Sequence, residues 1–518
     1  MSEPSSDPGA GPAPGLRSVM GSWRLLSVVL LSFSSGLPLG LVWFAIPAWM
    51  AREGVDIKVI GLFTLAQAPW SFKLLWSPWM DRYPPPFLGR KRGWTLVGQV
   101  ALFALTLALA GVSHRPDTVW VIGALALGIA FASATQDIAI DAYAVEVLRP
   151  DEQGVAVGAR TAIYRAAMFV AGGLSISLAG RWGWPAVNVM LALLYLPMLV
   201  VTWYAPEPET RAVAPTSLRD AIWLPFLGFL ARHRALEILA FVVLYKLADN
   251  LAGALLRPFL IDMGYSADDR GVALGTVGLV ATLAGTFLGG AVTTTIGLGH
   301  ALWAFGILQI GSNAGYILLA DHPVDRPLMY AAIGFEQLTS GMGTGAFSVL
   351  LIRLTQRRFS ATQFALFSSL FGLPRILAGP VSGFLVDAVG WRAFFWFTIA
   401  CGFPGLVLLA RFVPPGTREP EFMIEPPSAG EPLGTGALVG RGVAGATIGA
   451  AIAACLLAAL PWLKGEGFVT TLAAIVRPVD LGAWLQLAGV VAFGAIAGLF
   501  TAATAAARHG AIPADQLA

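Results

Sequence analysis

The chain has 518 residues, of which 56% are hydrophobic and 12% charged, with a mean hydropathy of +0.72. A soluble domain carries about 25% charged residues, so a disordered chain, a disulfide-stapled secreted module and an ordinary soluble enzyme are excluded. The net charge of +3 comes from loop Lys and Arg and gives no reason to invoke nucleic acid, while Cys401 and Cys455 offer neither a disulfide framework nor a metal spacing.

Residues 1–20 are rich in Pro, Gly and Ser and lack the apolar core of a signal peptide; a disordered cytoplasmic tail is expected. About fourteen apolar runs follow, each near the ~20 residues a bilayer-spanning helix needs. They lie near 25–50, 58–80, 94–113, 119–148, 154–179, 185–205, 235–261, 270–296, 299–320, 327–356, 360–387, 392–413, 438–461 and 481–505. A linker over 206–234, with three prolines and an amphipathic stretch, separates six runs (21–205) from six more (235–413). A polar connector over 414–437 sets off a last pair within 438–518, whose small residues and lack of acids suit packing outside the twelve-helix body. The expected fold is an all-α polytopic membrane protein.

Basic residues concentrate in alternate loops: Arg82, Arg90, Lys91 and Arg92 after the second run, Arg149 after the fourth, Arg211 and Arg219 after the sixth, and Arg357 and Arg358 after the tenth. The positive-inside rule puts these loops and both termini in the cytoplasm. A repeat is also visible. Ala171-Gly172 and Gly183-Trp184 recur as Ala378-Gly379 and Gly390-Trp391 at one constant spacing, and Pro47, Gly54 and Gly61 match Pro258, Gly264 and Gly271 more loosely. Two six-helix halves joined by a cytoplasmic linker describe the major facilitator plan, in which parallel repeats rock about a site near the midplane.

Ionisable groups inside apolar runs cost about 2.5–3.5 kcal/mol on insertion scales and face a partner or a water-filled cavity. Asp137 and Asp141 are four apart and share a face of the fourth helix. Crowded in a low dielectric, they suit proton coupling; the alternative is a structural ion pair with Lys73, Arg160 or Arg165. Lys246 and Asp249 can neutralise one another on the seventh helix, beside Asn250. Arg165 and Arg375 occupy the fifth helix of each half, where a planar guanidinium can bind a carboxylate or form a packing salt bridge. Gln136, Gln309, Asn313, Glu336 and Gln337 offer hydrogen bonds to a polar solute or between helices. Lys73, Gln136, Arg165, Lys246, Asp249, Asn250, Glu336, Gln337 and Arg375 are the candidate solute-binding set. No metal motif, phosphate loop or catalytic triad is present in the sequence, and neither an enzyme nor a cofactor is expected.

The segment Trp76-Ser-Pro-Trp-Met-Asp-Arg-Tyr83 with Gly89-Arg-Lys-Arg-Gly-Trp94 resembles the signature loop of major facilitators, with Asp81, Arg82, Arg90, Lys91 and Arg92 in register, Ser77 in place of the leading Gly, and Pro84-Pro-Pro86 inserted. In that family these charges close contacts between the halves. A narrower resemblance, to the AmpG-type muropeptide permeases, rests on Ser34-Ser-Gly-Leu-Pro-Leu39, Phe72-Lys-Leu-Leu-Trp-Ser-Pro78, Ala134-Thr-Gln-Asp-Ile-Ala-Ile-Asp-Ala-Tyr143, Leu244-Tyr-Lys-Leu-Ala-Asp249, Ser312-Asn-Ala-Gly-Tyr316, Gly341-Met-Gly-Thr344 and Phe359-Ser-Ala-Thr-Gln-Phe-Ala-Leu366. It implies proton-driven import of N-acetylglucosaminyl-1,6-anhydro-N-acetylmuramyl peptides across the inner membrane for cell-wall recycling. The partners it implies are the muropeptide, protons and the bilayer, with the chain acting as a monomer. A proton symporter of another sugar, peptide or siderophore, and a non-transporting receptor of the same fold, are the alternatives.

Overall fold

The computed structural model describes residues 21–56, 59–60, 63–112, 119–208, 215, 217–322, 324–422, 433–463, 467–479 and 481–509, so the expected N-terminal tail lies outside it. The described residues are helices joined by turns, without a strand. α1 is Trp23–Arg52, with Pro38 inside it and a π turn at Leu41–Ala45. The second run is helical only in short pieces over 64–82, together α2, because Pro69 and Pro78 each open a new short helix and cannot donate to the turn before. α3 is Arg90–Val112 and α4 is Val119–Val147. The fifth and sixth runs are continuous over Pro150–Tyr204 and divide at Gly183 into α5 (150–182) and α6 (184–204).

α7 is Leu218–Leu230, in the linker. α8 is Ala235–Asp262, α9 Ala267–Ile296, α10 Leu298–Asp321 and α11 Arg326–Leu354. Ser360–Phe412 divides at Gly390 into α12 (360–389) and α13 (391–412). α14 (Thr435–Leu463), α15 (Phe468–Val476) and α16 (Leu481–Arg508) complete the chain. Ten stretches among the described residues are helical, long and apolar enough to cross a bilayer, against fourteen runs expected. The difference includes the broken α2, the more polar α11 and the continuity of α5 with α6. α15 was not expected; its nine residues are too short to span.

The repeat read from the sequence marks matching joints. Gly183 (φ 78°) and Gly390 (φ 75°) both take the left-handed conformation that L side chains avoid. The Trp that follows packs on the end of the first helix of its own half: Trp184 stacks on Trp49 at 5.2 Å, and Trp391 meets Phe259 at 5.1 Å. Gly54 and Gly264, just past the ends of α1 and α8, also have positive φ. Gly61 lies outside the described residues.

The described chain forms two compact units, 1–218 with 239–420 and 219–238 with 421–518. In the first, small residues bring helices into backbone contact. A Cβ added to Gly36 of α1 would lie 2.2 Å from the Tyr164 carbonyl oxygen of α5. The two halves meet in the same way, since a Cβ on Gly154 of α5 would lie 2.2 Å from the Gly290 carbonyl oxygen of α9. In the second unit, a Cβ on Gly498 of α16 would lie 2.5 Å from the Gly442 carbonyl oxygen of α14. Phe226 of α7 meets Phe500 of α16 edge-on at 5.1 Å, so the linker helix belongs with the C-terminal helices.

Gly36→Val should cost about 1–3 kcal/mol through overpacking, read as a lower unfolding temperature of the purified protein. Gly253→Ala, which opens onto free space, should leave that temperature unchanged.

Candidate functional site

The acid pair of α4 is held by three other helices. Asp141 takes two cations: Arg160 Nη2 of α5 at 2.5 Å and Lys73 Nζ of α2 at 3.6 Å. Asp137, one turn earlier, accepts a hydrogen bond from the Ser35 hydroxyl of α1 and makes no ion pair among the described residues. The face shared by the two acids therefore splits into a charge-balanced carboxylate and one held by a hydroxyl. Gln136 points elsewhere: it is fully buried, and its amide donates to Ser34 Oγ at 3.2 Å. Gln99 donates to the same oxygen at 3.2 Å and accepts from Thr202 at 2.7 Å. These bonds tie α1, α3, α4 and α6 together and leave Gln136 facing helices rather than open space.

In the second half, Lys246 sits where α8 breaks, before Leu247. Its ammonium reaches Asp249 at 2.5 Å, Gln309 Oε1 of α10 at 3.0 Å, and both the carbonyl and the hydroxyl of Ser340 of α11 at 2.9 Å. Glu336 of α11 is 2% exposed and accepts from Tyr316 at 2.9 Å and Gln337 at 2.8 Å. Gln337 accepts in turn from Thr282 of α9 at 2.7 Å. Asn250 is half-buried beside Asp249, and Asn313 is fully buried with neither amide atom hydrogen-bonded.

Arg165 of α5 and Arg375 of α12 come from the two halves and lie within electrostatic range of one another. Both are exposed, and among the described residues neither makes an ion pair. Among the described residues the packing salt bridge considered for them is not formed.

The signature loop closes one end of the first unit. Asp81, just beyond the second apolar run, is fully buried. Its Oδ1 meets Lys91 Nζ at 2.7 Å and Arg90 at 3.7 Å. Its Oδ2 accepts from the backbone N and the hydroxyl of Thr362, in the other half, at 2.9 and 2.8 Å. Burial opposes ionisation, but Lys91 and then Arg90 outweigh it and hold the carboxyl below its ordinary value. A depressed value means that the contact contributes fully above the ordinary carboxylate range and is lost only as pH falls through the folded-state value, so it is intact near neutrality. Glu146 of α4 completes the clamp, accepting from Arg90 at 2.9 Å and from Ser360 at 2.5 Å, while Arg90 also donates to the Arg358 carbonyl at 3.0 Å. Two signature bases stay out of the clamp. Arg92 pairs with Glu207 of its own half at 2.6 Å, and Arg82 lies over the Tyr83 ring with a buried Nε that has no partner.

Ser35, Tyr316 and Ser340 were not anticipated as partners of the buried ions. Ser35 and Tyr316 lie inside segments singled out for other reasons. A serine hydroxyl bonds readily to its own helix and a tyrosine ring is largely apolar, so neither stands out in an apolar run as a charge does.

A sequence model described as Major Facilitator Superfamily matches residues 28–323. The anhydromuropeptide permease of Escherichia coli K12 is 44% identical over 388 residues, 74% of this chain and 79% of that one. A Rickettsia felis protein named putative transporter AmpG 4 is 30% identical over 404 residues, 76% of this chain and 97% of its own. Among solved structures, a bacterial homologue of the iron transporter ferroportin in an outward-facing state, with soaked iron, aligns with a TM-score of 0.53 at 13% identity, covering 75% of this chain and 98% of that one. The human organic anion transporter MFSD10 aligns with a TM-score of 0.55 at 13% identity, covering 75% and 99%. At that identity the structural likeness speaks for the fold alone.

Asp81→Asn removes the nearer of the two carboxylates beside buried Lys91, leaving Glu146 at 3.7 Å, so the loss should fall below the ~3–5 kcal/mol of a buried pair broken outright. The closed contact between residues 81–91 and 357–363 should loosen, seen as faster labelling of a cysteine placed at Ala361, which is 1% exposed.

Proposed function

We propose that this chain, which belongs to the Major Facilitator Superfamily and is a multi-pass membrane transporter, imports 1,6-anhydromuropeptides from periplasm to cytoplasm in symport with protons. The observation that carries the reading is the pair of exposed arginines, Arg165 and Arg375, on the fifth helix of each half, which make no ion pair among the described residues. A solute bearing peptide carboxylates supplies the missing charge, and the planar fork of each guanidinium suits a carboxylate. The relative at 44% identity is named for such a cargo. Lys246, Asp249, Asn250, Glu336 and Gln337 lie in the second half and Lys73 in the first, so these groups can respond to a solute bound between halves. Gln136, fully buried, takes a supporting part.

Asp137 is the proton carrier of the first half, and Asp141 is its fixed neighbour. Both cations are committed to Asp141, and a carboxyl held only by a hydroxyl is the one that a proton can neutralise without breaking an ion pair. The signature-loop end is assigned to the cytoplasm, with both termini on that side, in the inner membrane. Closure there suits loading from the periplasm. Binding and rocking complete the cycle with no covalent step, cofactor or nucleic acid, one chain sufficing. The helices after 438 take no part in recognition.

Asp137→Asn should abolish gradient-driven accumulation of labelled anhydromuropeptide in vesicles while leaving the protein inserted; full accumulation with an unchanged pH profile would refute the assignment. Arg165→Gln or Arg375→Gln should weaken binding of peptide-bearing cargo roughly 10- to 100-fold, from ~1.5–3 kcal/mol for a hydrogen bond to a charged group. The bare anhydro-disaccharide should lose far less. Equal losses for the two ligands would exclude a role in reading the peptide carboxylate.

A further inference from the structure

The two halves treat their buried acids by one rule. In the first half, Asp141 takes the cations and Asp137 takes a hydroxyl. In the second, Asp249 takes the cation and Glu336 takes a hydroxyl, from Tyr316. Asp137 and Glu336 stand on corresponding helices, α4 and α11, the fourth of each half.

The charge count is less forgiving in the second half. The first cluster sets Asp137 and Asp141 against Lys73 and Arg160, two acids and two bases. The second sets Asp249 and Glu336 against Lys246 alone. An ammonium has three protons to donate. Those of Lys246 are already shared among Asp249, Gln309 and the two oxygens of Ser340. None is hydrogen-bonded to Glu336, which feels Lys246 only through space and whose hydrogen-bonding neighbours are neutral: Tyr316 from α10, Gln337 on its own helix, and Thr282 of α9 beyond Gln337. Asp249 of α8 adds a like charge nearby, and its Oδ1 is buried without a hydrogen bond. Both bonds to Glu336 fall on Oε2, so among the described residues Oε1 has no partner. An ionised carboxylate at 2% exposure in this position would have to share the single ammonium of Lys246 with Asp249, two negative charges against one positive, which the interior of a membrane protein disfavours.

We propose that Glu336 binds a proton on Oε1 and is a second proton-carrying group of the transport cycle, so that each half holds one titratable carboxyl beside one ion-paired carboxylate. Glu336 is 2% exposed and its hydrogen-bond partners are drawn from the protein, whereas Arg165 and Arg375 stand exposed. Lys246 links the site to motion. Its bonds span α8, α10 and α11, so any rearrangement that draws the ammonium from Ser340 frees a donor for Glu336 and expels the proton. The inference rests on the proton-coupled reading given above for its place in a cycle, but not for the protonation itself.

The test is an infrared pH titration of the purified full-length protein without any solute. The wild type should show the carbonyl absorption of a neutral carboxylic acid at neutral pH, lost on raising the pH. Glu336→Gln should remove one component of that absorption, Asp137→Asn should leave that component in place, and Tyr316→Phe should shift its frequency without abolishing it. In vesicles, the number of protons carried per anhydromuropeptide should fall by one in Glu336→Gln. An unchanged absorption in Glu336→Gln, or in Tyr316→Phe should Glu336→Gln not fold, would overturn the proposal. A Glu336 component in a protein that moves no muropeptide would refute the cargo and leave the proton site standing. Proton-driven uptake with an unaltered Glu336→Gln spectrum would overturn the second site alone.

Discussion

A charge carried into hydrocarbon has no water to solvate it, so each buried ion of this chain must find a counter-charge, a hydroxyl or an amide inside the bundle. That constraint organises the first compact unit. Lys73 and Arg160 converge on Asp141 from two helices, Lys246 gathers three helices around its ammonium, and Asp81 with Glu146 collects Arg90, Lys91, Ser360 and Thr362 across the halves. Where the matching is complete, the ions fix helices. Where it is incomplete among the described residues, at Arg165, Arg375, Asp137 and Glu336, lie the sites proposed above for a solute or a proton.

Small residues make that matching possible. Between helices in lipid there is little hydrophobic driving force, so close van der Waals packing has to hold them together. Gly36 lets α1 lie against α5, which places Ser35 beside the Asp137 of α4. Gly154 and Gly290 let the halves touch backbone to backbone on the same two helices whose neighbours carry the clamp. A contact built on glycine is tight but has no interlocking side chains, so it can separate at modest cost. The ionic clamp of the signature loop supplies the specific attraction.

The helices near the C-terminus obey the packing rule without the ionic one. α14 and α16 meet through Gly442 and Gly498, and α7 joins them through Phe226 and Phe500. None of these contacts involves an ion pair, in keeping with runs that have almost no polar interior residues. The buried ion clusters described above lie in the first unit; in the second, α14, α16 and α7 meet through small-residue and aromatic contacts, and the Arg234–Glu237 ion pair at 3.8 Å lies just after α7.

The sequence by itself determined what depends on local composition. Run lengths located most of the apolar helices though not their number or the break in α2, and the spaced Gly183-Trp184 and Gly390-Trp391 pairs marked repeated joints. The signature charges and the longer motifs identified the family. Only the tertiary structure decided which acid meets which base, because those partners are far apart in the chain and their pairing depends on helix rotation that composition does not encode. Asp137 and Asp141 look equivalent in sequence, yet one faces Ser35 and the other two cations. Gln136, next to Asp137, turns about 100° around the helix at ~3.6 residues per turn and is lost to packing against α1 and α3. Arg82 stands beside Asp81 in sequence but points to Tyr83, while Lys91, ten residues on, reaches the carboxylate. In a low dielectric the geometry of a few ångströms separates a paired charge from an available one, and that geometry exists only once the helices have packed.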